Sequence, residues 1–256
     1  MTMEISAHSR RYWQYEYDVS ARYMVPLLEQ WGIELRGRSV LDVGCGEGGG
    51  LCALSDRGAQ SYGFDIDEHR VQVARELKGT RAIEFAAGDL YEERLPFAGI
   101  QHDLVVLHDV FEHLDNKVET LGKLREIMRP GAAMLITFPP YYSAYGAHQQ
   151  HLRARHAQLP FVHLVPYGAS FILPRLKDEF PHVVQEVQKL ARLKMGMRSF
   201  EKIVVAGGFH VVHKKTYLIS PNHIRFGLRP GAAGFLGSVP YLSEVLCTGA
   251  IYLLSP

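Results

Sequence analysis

Cysteine is scarce in this 256-residue chain. Cys45, Cys52 and Cys247 are the three present, irregularly spaced and without a CxxC pair. That excludes a disulfide framework, argues against a structural zinc site and makes a reducing compartment the expectation. Long apolar runs are missing as well: none approaches the ~18 residues needed to span a bilayer. The N-terminus, MTMEISAHSRRYWQYEYD, lacks the apolar core of a secretory leader. The chain therefore reads as soluble and cytoplasmic, with no membrane partner. Neither sign of charge dominates. Lys and Arg count 28 against 27 for Asp and Glu, a net charge of +1, which gives no reason to expect a nucleic-acid partner. Internal repeats and low-complexity tracts are also absent. What is there is ordinary globular composition, 47% hydrophobic and 21% charged, enough apolar content to rule out wholesale disorder.

The apolar pattern alternates between strand-like and helix-like segments. Residues 12–31 carry spaced aromatics and aliphatics, read as one or two amphipathic helices with Pro26 at a helix start. Val40, Leu41 and Val43 make a short buried strand running into a glycine loop, and a helix follows over 49–57. Strands are expected at 60–65, 82–86, 103–107 and 132–138. Helices are expected at 67–78, with Asp67 as N-cap, and at 115–128, ended by Arg129-Pro130-Gly131. This alternation argues for an α/β fold with a parallel sheet and helices on both faces. The pattern then breaks. Residues 140–181 read as a loop-rich insertion, the kind of segment that serves as a lid. A helical segment at 182–206 and two closing strands at 209–219 and 244–254 complete the chain, with a loop-like stretch at 220–243. No linker divides it, so 1–256 is expected to be a single domain, with 1–38 as a helical cap.

The densest chemistry lies in Leu41-Asp42-Val43-Gly44-Cys45-Gly46-Glu47-Gly48. Glycines between a strand and a helix let the backbone approach a ligand. Gly44, Gly46 and Gly49 satisfy GxGxxG, which taken alone would suit a nicotinamide dinucleotide. Asp42 and Glu47 argue otherwise, because two carboxylates repel a pyrophosphate and suit a cationic group such as an ammonium or a sulfonium. Asp65 ends the second strand about 20 residues later, where a carboxylate can accept from both hydroxyls of a ribose. Asp89, in Gly88-Asp89-Leu90, could accept from an exocyclic amine with Leu90 against the ring, although a polar turn also explains it.

Together VLDVGCGEG (40–48), GFDID (63–67), AGDL (87–90), DLVVLHDVFEHL (103–114) and MRPGAAMLITFP (128–139) resemble the class I S-adenosylmethionine-dependent methyltransferases, most of all their small-molecule branch. The resemblance covers roughly residues 40–220. It implies a Rossmann-like seven-stranded sheet, mostly parallel with one antiparallel strand, and S-adenosylmethionine as cofactor. By position it assigns Asp42, Gly44 and Gly46 to the methionine part, Asp65 to the ribose, Asp89 and Leu90 to the adenine, and His108 to a place beside the sulfonium. Ile66 is assigned to the cofactor as well.

FPPY (138–141) resembles a tetrapeptide of nucleobase amino-methyltransferases, but it follows the fifth strand rather than the fourth. It is read as ending the strand and turning the chain into the insertion. Methyl transfer to a hydroxyl gains from a base of near-neutral pKa, which suits histidine. His148, at the carboxyl end of the fifth strand, is the candidate base, and His113 in FEHL a second catalytic candidate. Glu112-His113 resembles a metal-binding pair in a related branch, and His148 and His151 could share a metal if their stretch is helical. The expectation adopted is nevertheless no metal. Tyr12, Trp13, Tyr15 and Tyr17 could cap the cofactor or pack a helix on the sheet. Tyr141, Tyr142, Tyr145 and Tyr167 suggest an aromatic pocket, and Arg153, Arg155 and Arg175 could meet an acidic substrate. The expected activity is methyl transfer to a small-molecule acceptor, most naturally at a hydroxyl oxygen. The alternatives are N- or carboxyl-methylation, an NAD-dependent oxidoreductase, a non-catalytic S-adenosylmethionine- or metal-binding module, and an RNA methyltransferase, against which the charge near zero counts.

Overall fold

Val40, Leu41 and Val43 are almost fully buried, and the strand they form sits at the middle of the sheet. The computed structural model describes residues 4–165 and 179–256. Its strands are β1 (Ser39–Val43), β2 (Gln60–Asp65), β3 (Ile83–Ala87), β4 (His102–His108), β5 (Met128–Phe138), β6 (His210–Ile219), β7 (Gly231–Ala232) and β8 (Gly249–Ser255). They lie in the order β3-β2-β1-β4-β5-β8-β6-β7. The first five pair in parallel. β8 runs antiparallel to both β5 and β6. The seven expected strands are present, and the two-residue β7 adds an eighth at the edge. The chain leaves β1 to one side for β2 and β3, then returns to the other for β4 and β5. The crevice at the carboxyl ends of β1 and β4 is therefore the topological switch point, where α/β folds bind ligands.

Helices cover both faces. They are α1 (Ala7–Val19), α2 (Val25–Gln30), α3 (Gly49–Ser55), α4 (Glu68–Leu77), α5 (Lys117–Glu126), α6 (Pro181–Leu193), α7 (Met197–Ala206) and the short α8 (Leu242–Leu246). One buried cluster joins β4, β5, α5 and α7 through Leu107, Leu121, Met134, Phe200 and Tyr252, and a second joins α2, α3 and α4 to the opposite face through Leu28, Leu51 and Val71. Asp67 caps α4 as expected, its Oδ1 accepting from the backbone of His69 at 2.9 Å and Arg70 at 3.3 Å.

Several expected boundaries move. The 115–128 helix stops at Glu126, because Met128 already pairs with His102; the strand then kinks and resumes register with Leu104 opposite Ala133. Arg129-Pro130-Gly131 therefore lies inside β5, where Gly131 takes a φ of 78°. The 182–206 segment is two helices, broken where Lys194 adopts a left-handed φ of 47°. The last expected strand begins only at Gly249, because Leu242–Leu246 coils into α8. At the N-terminus α1 runs through a widened π turn, Ser20–Met24, into α2. Pro26 sits in the first turn of α2, where its missing N–H would break a regular helix and a wider turn accommodates it.

α1 lies against α3 so closely that a β-carbon on Gly49 would overlap the Trp13 carbonyl oxygen, whereas one on Gly122, in α5, would meet nothing within 4 Å. Gly49→Ala is therefore expected to destabilise the fold by ~1–3 kcal/mol, the usual cost of overpacking. Gly122→Ala is expected to stabilise it by up to ~1 kcal/mol through helix propensity. Urea denaturation of both variants checks the pair. Equal stability of Gly49→Ala and wild type would contradict the α1–α3 packing.

Candidate active site

A cavity of about 1010 Å³ opens at the switch point. Its floor is the loop after β1. The backbone N–H groups of Gly44 and Cys45 donate to the Phe64 carbonyl at 2.8 and 3.0 Å, tying the loop to β2. Gly46 N–H donates to Asp65 Oδ2 at 2.8 Å, and Asp67 N–H donates to Asp65 Oδ1 at 2.9 Å. Asp65 is thus buried and aimed by two backbone donors while still lining the cavity. Gly46 has a φ of 55°, and a β-carbon there would run into the Arg70 guanidinium. Glycine is required on both counts.

Asp42 projects from β1 into the same space and is 6% exposed. Burial, then the nearby charge of Asp65, pushes its carboxyl up to about 8. Glu16 reaches in from α1. Burial holds its carboxyl well above the usual range against the opposing pull of Arg70, and its Oε2 has no hydrogen-bond partner. Glu47 behaves differently from expectation. It takes the Arg70 guanidinium at 3.0 Å through Nε and 2.5 Å through Nη2, so its charge is spent on an ion pair instead of facing a ligand. Arg70 also lies 3.8 Å from Glu16 and 4.0 Å from Asp65, with its guanidinium 5.4 Å from the Tyr12 ring centre. Around the loop after β1, Asp42, Asp65 and Glu16 are therefore the carboxylates left to face the cavity.

The other assigned residues meet here too. Ile66 lines the mouth and is 72% exposed, an unusual place for a large aliphatic side chain unless something covers it. Leu90 is buried, and Asp89 turns the chain by accepting from Tyr91 N–H at 3.0 Å. His108 ends β4, its Nε2 3.4 Å from Asn222 Oδ1. Next to it Asp109 holds a left-handed φ of 55°. Its carboxylate accepts from Thr137 Oγ1 at 2.9 Å and from the Asn222 amide at 2.5 Å. A non-glycine residue held there stores strain of the kind that gathers at functional sites. Tyr12 and Tyr15 line the cavity, while Trp13 and Tyr17 stack at 5.5 Å and pack on the core beside it. The two readings of these aromatics thus divide residue by residue.

The far wall is histidine-rich. His148, in a left-handed turn with φ 58°, has its Nδ1 2.9 Å from Glu186 Oε1 on α6. Its ring lies 5.2 Å from that of His113 and 6.0 Å from that of His151. His151 closes a single 3₁₀ turn, Gln149–His151. Burial, then the charge of His148, holds His113 down at about 4. Burial opposes ionisation of Glu186, but the His148 hydrogen bond and the charges of His148, His113 and His151 outweigh it and draw Glu186 down to about 2. His163 is spent structurally, with its Nε2 2.7 Å from the Tyr141 carbonyl, and His156 is exposed. Tyr145 lines the cavity, Tyr141 is buried against the insertion and Tyr142 is 40% exposed. Tyr167 and Arg175 lie outside the described residues.

Pattern reading missed Glu16, Arg70, Asn222 and Glu186. Each sits on a helix or loop remote in sequence from the glycine motif, and only the fold brings them to it.

Residues 41–136 match the family model of a methyltransferase domain. That stretch is thus a methyltransferase domain, and the chain resembles the class I S-adenosylmethionine-dependent methyltransferases. It is 34% identical over 103 residues to a probable S-adenosylmethionine-dependent methyltransferase of Mycolicibacterium smegmatis, covering 40% of this chain and 38% of that protein. It is 31% identical over 136 residues to a ubiquinone biosynthesis O-methyltransferase of Bordetella avium, covering 50% and 56%. The matched stretch thus spans well under two thirds of each relative. Among solved structures, the magnesium protoporphyrin IX methyltransferase of Synechocystis with bound S-adenosylhomocysteine superposes with a TM-score of 0.52 at 15% identity, over 98% of this chain and 88% of that one. An S-adenosylmethionine-dependent methyltransferase of Mesorhizobium loti gives 0.56 at 16%, over 93% and 99%. At these identities the superpositions speak for the fold.

The state of Asp42 has a consequence for stability. Its folded-state pKa of about 8 lies above the ~4 of an unfolded carboxyl. The folded form keeps a proton that the unfolded chain gives up, so stability is full below pH ~4 and is lost as pH rises towards 8. Asp42→Asn is expected to change the melting temperature little near pH 4 and to raise it at pH 8.5, by a stabilisation on the order of a few kcal/mol. A variant less stable than wild type at pH 8.5 would contradict the burial of this charge.

Proposed function

We propose that this protein transfers a methyl group from S-adenosylmethionine to an oxygen of a small-molecule acceptor. The observation that carries the reading is the set of carboxylates Asp42, Asp65 and Glu16, the first two buried and the third half-buried, around one end of the cavity. Desolvation suppresses the ionisation of Asp42 and Glu16, and a cationic ligand relieves that cost. The residues present therefore fit a ligand that carries an ammonium at one end and a sulfonium near its middle. They do not fit a pyrophosphate, which counts against a nicotinamide dinucleotide.

In this reading Asp42 and Glu16 receive the ammonium, and the open backbone at Gly44 and Gly46 admits the amino-acid end. Asp65, fixed by its two backbone donors, receives the ribose hydroxyls. Asp89 receives the adenine amine, Ile66 and Leu90 pack the ring, and His108 borders the reacting centre. Bound S-adenosylmethionine supplies an electrophilic methyl group. His148, backed by Glu186, and His113 form the acceptor wall and act on the acceptor hydroxyl. The described part of the insertion, 140–165, and the helices α1 and α2 enclose the reactants, in a chain read as one domain, 1–256, so that alignment and exclusion of water provide most of the rate.

Oxygen is favoured over nitrogen or a carboxylate because the similar proteins include a ubiquinone biosynthesis O-methyltransferase and a probable tocopherol O-methyltransferase of Oryza sativa. A small molecule is favoured over RNA by the net charge of +1. Among the described residues no helix is long and apolar enough to cross a membrane.

Calorimetric titration tests the reading. S-adenosylhomocysteine is expected to bind in the micromolar range and NADH not to bind. Asp65→Ala is expected to weaken S-adenosylhomocysteine roughly tenfold or more, the scale of lost charge-assisted hydrogen bonds. Ile66→Ala, at an exposed position that cannot disturb the core, is expected to weaken it severalfold. Unchanged affinity in both variants would overturn the site. A methyl-transfer screen over hydroxylated metabolites would then seek the acceptor.

A further inference from the structure

One cation on the cavity wall is unspent. Among the described residues the lysines and arginines that line the cavity are Arg70, Lys189 and Arg225. Arg70 is committed to Glu47. Lys189 pairs with Asp115 at 3.3 Å. Arg225 pairs with no described carboxylate; its guanidinium stands 5.5 Å from the Tyr15 ring centre and 4.8 Å from that of Phe226. Asp109 and Glu186, which line the same cavity, are already taken: Asp109 accepts from Thr137 and Asn222, and Glu186 from His148. Aromatic faces hold a guanidinium in place without using its five N–H donors.

The fold also fixes where Arg225 stands. It lies in the 3₁₀ turn Pro221–Phe226, whose start is capped by Ser220 Oγ accepting from Asn222 N–H at 3.3 Å. Asn222 clamps the turn to the loop after β4, through Asp109 and through His108 Nε2 at 3.4 Å. In a 3₁₀ turn, residues three apart eclipse one another, so Arg225 follows Asn222 on the same face, ~6 Å along the axis. Its charge reaches the histidine-rich wall. Desolvation in the cavity, then the charges of His148 and Arg225, holds His151 down at about 4, and desolvation followed by the charge of Arg225 lowers His223. A neutral imidazole keeps one N–H to donate. Arg153 and Arg155, which the sequence offered to an acidic substrate, do not line the cavity.

We propose that Arg225 receives an oxyanion of the acceptor, a carboxylate or a phosphate, so that the substrate is an anionic hydroxy compound. The planar fork of a guanidinium matches either group bidentately. The inference rests on the methyl-transfer reading, in which the acceptor hydroxyl lies at His148 and the reacting centre at His108. An anion anchored one 3₁₀ turn beyond the His108 contact holds the acceptor at a second point, and two fixed points orient the hydroxyl towards the methyl group. The cavity is then divided by charge. The carboxylates around the loop after β1 draw the cationic cofactor, and the guanidinium draws the anionic acceptor. Either ligand in the other's place meets like charge, which enforces the arrangement.

The test is calorimetric titration of the full chain, free and saturated with S-adenosylhomocysteine. The probes are benzoate, phenyl phosphate and the uncharged benzyl alcohol. One or both anions are expected to bind in roughly the millimolar range, the scale of a ligand of few atoms, and benzyl alcohol not to bind. The tighter anion identifies the acceptor's group as carboxylate or phosphate. Arg225→Gln is expected to weaken the anion roughly ten- to a hundredfold, the scale of lost charge-assisted hydrogen bonds. Arg225→Lys is expected to retain part of the affinity, since the charge stays and the fork is lost. Arg229→Gln, at an exposed position off the cavity wall, should leave it unchanged. Near-wild-type affinity of Arg225→Gln for S-adenosylhomocysteine is expected and shows that the variant folds. Binding of neither anion, or binding indifferent to Arg225→Gln, would overturn the proposal. So would anions that compete with S-adenosylhomocysteine while Arg225→Gln weakens that ligand, since the guanidinium would then serve the cofactor's own carboxylate. If S-adenosylhomocysteine fails to bind and the Arg225-dependent anion site remains, the methyl-transfer reading falls and the anion site stands.

Discussion

Negative charge kept out of water is the constraint around which this molecule is arranged. Asp42, Asp65, Glu16 and Glu47 converge on the loop after β1, and Arg70 is the basic side chain paired there. Arg70 commits its closest contacts to Glu47, so the ionisation of Asp42 and Glu16 stays suppressed. A protein optimised only for stability would not keep them, since an apolar side chain of similar size would cost less. Their cost becomes intelligible when a cation is bound beside them, and the S-adenosylmethionine of the methyltransferases that the chain resembles carries two.

The fold delivers this arrangement through close backbone contacts. β1 occupies the switch point, so its last residues open into the cavity with no strand edge in the way. Glycine at 49 lets α1 settle against α3, which carries Glu16, Tyr12 and Tyr15 to the cavity. The loop after β4 carries the strained Asp109 and the orphaned Glu112 on consecutive turns. The histidine-rich wall is assembled differently. His148 comes from the insertion and Glu186 from α6, so its geometry depends on segments packed onto the core from outside.

The half of the cavity around the loop after β1 was legible in the sequence because its determinants are local. Asp42, Gly44 and Gly46 lie on one strand–loop unit, and Asp65, Ile66 and Asp67 on another. Strand ends fix where such residues point. The histidine-rich half was legible only as a surplus of histidines. Nothing in YGAHQQH distinguishes His148, which meets Glu186, from His163, which is spent on a backbone carbonyl. That distinction depends on contacts spanning dozens of residues. Glu47 was misjudged for the same reason, since Arg70 lies a full strand and turn away in sequence. Helix ends were misplaced where an extended and a coiled conformation compete over a few residues, as at Met128 and at Leu242–Leu246, and pairing with a neighbouring strand decided the first of these.

The most direct measurement is the number of protons released when S-adenosylhomocysteine binds. Calorimetry at pH 7 in two buffers of different ionisation enthalpy gives it. With its carboxyl at about 8, Asp42 is mostly protonated in the free protein at that pH, and an ammonium beside it favours the ionised form. Release of at least about one proton per molecule bound is the expected result, Glu16 adding to Asp42, and Asp42→Asn is expected to release about one proton fewer. Binding with no proton release, or with the same release in Asp42→Asn, would contradict the view that this buried carboxylate is held for a cation.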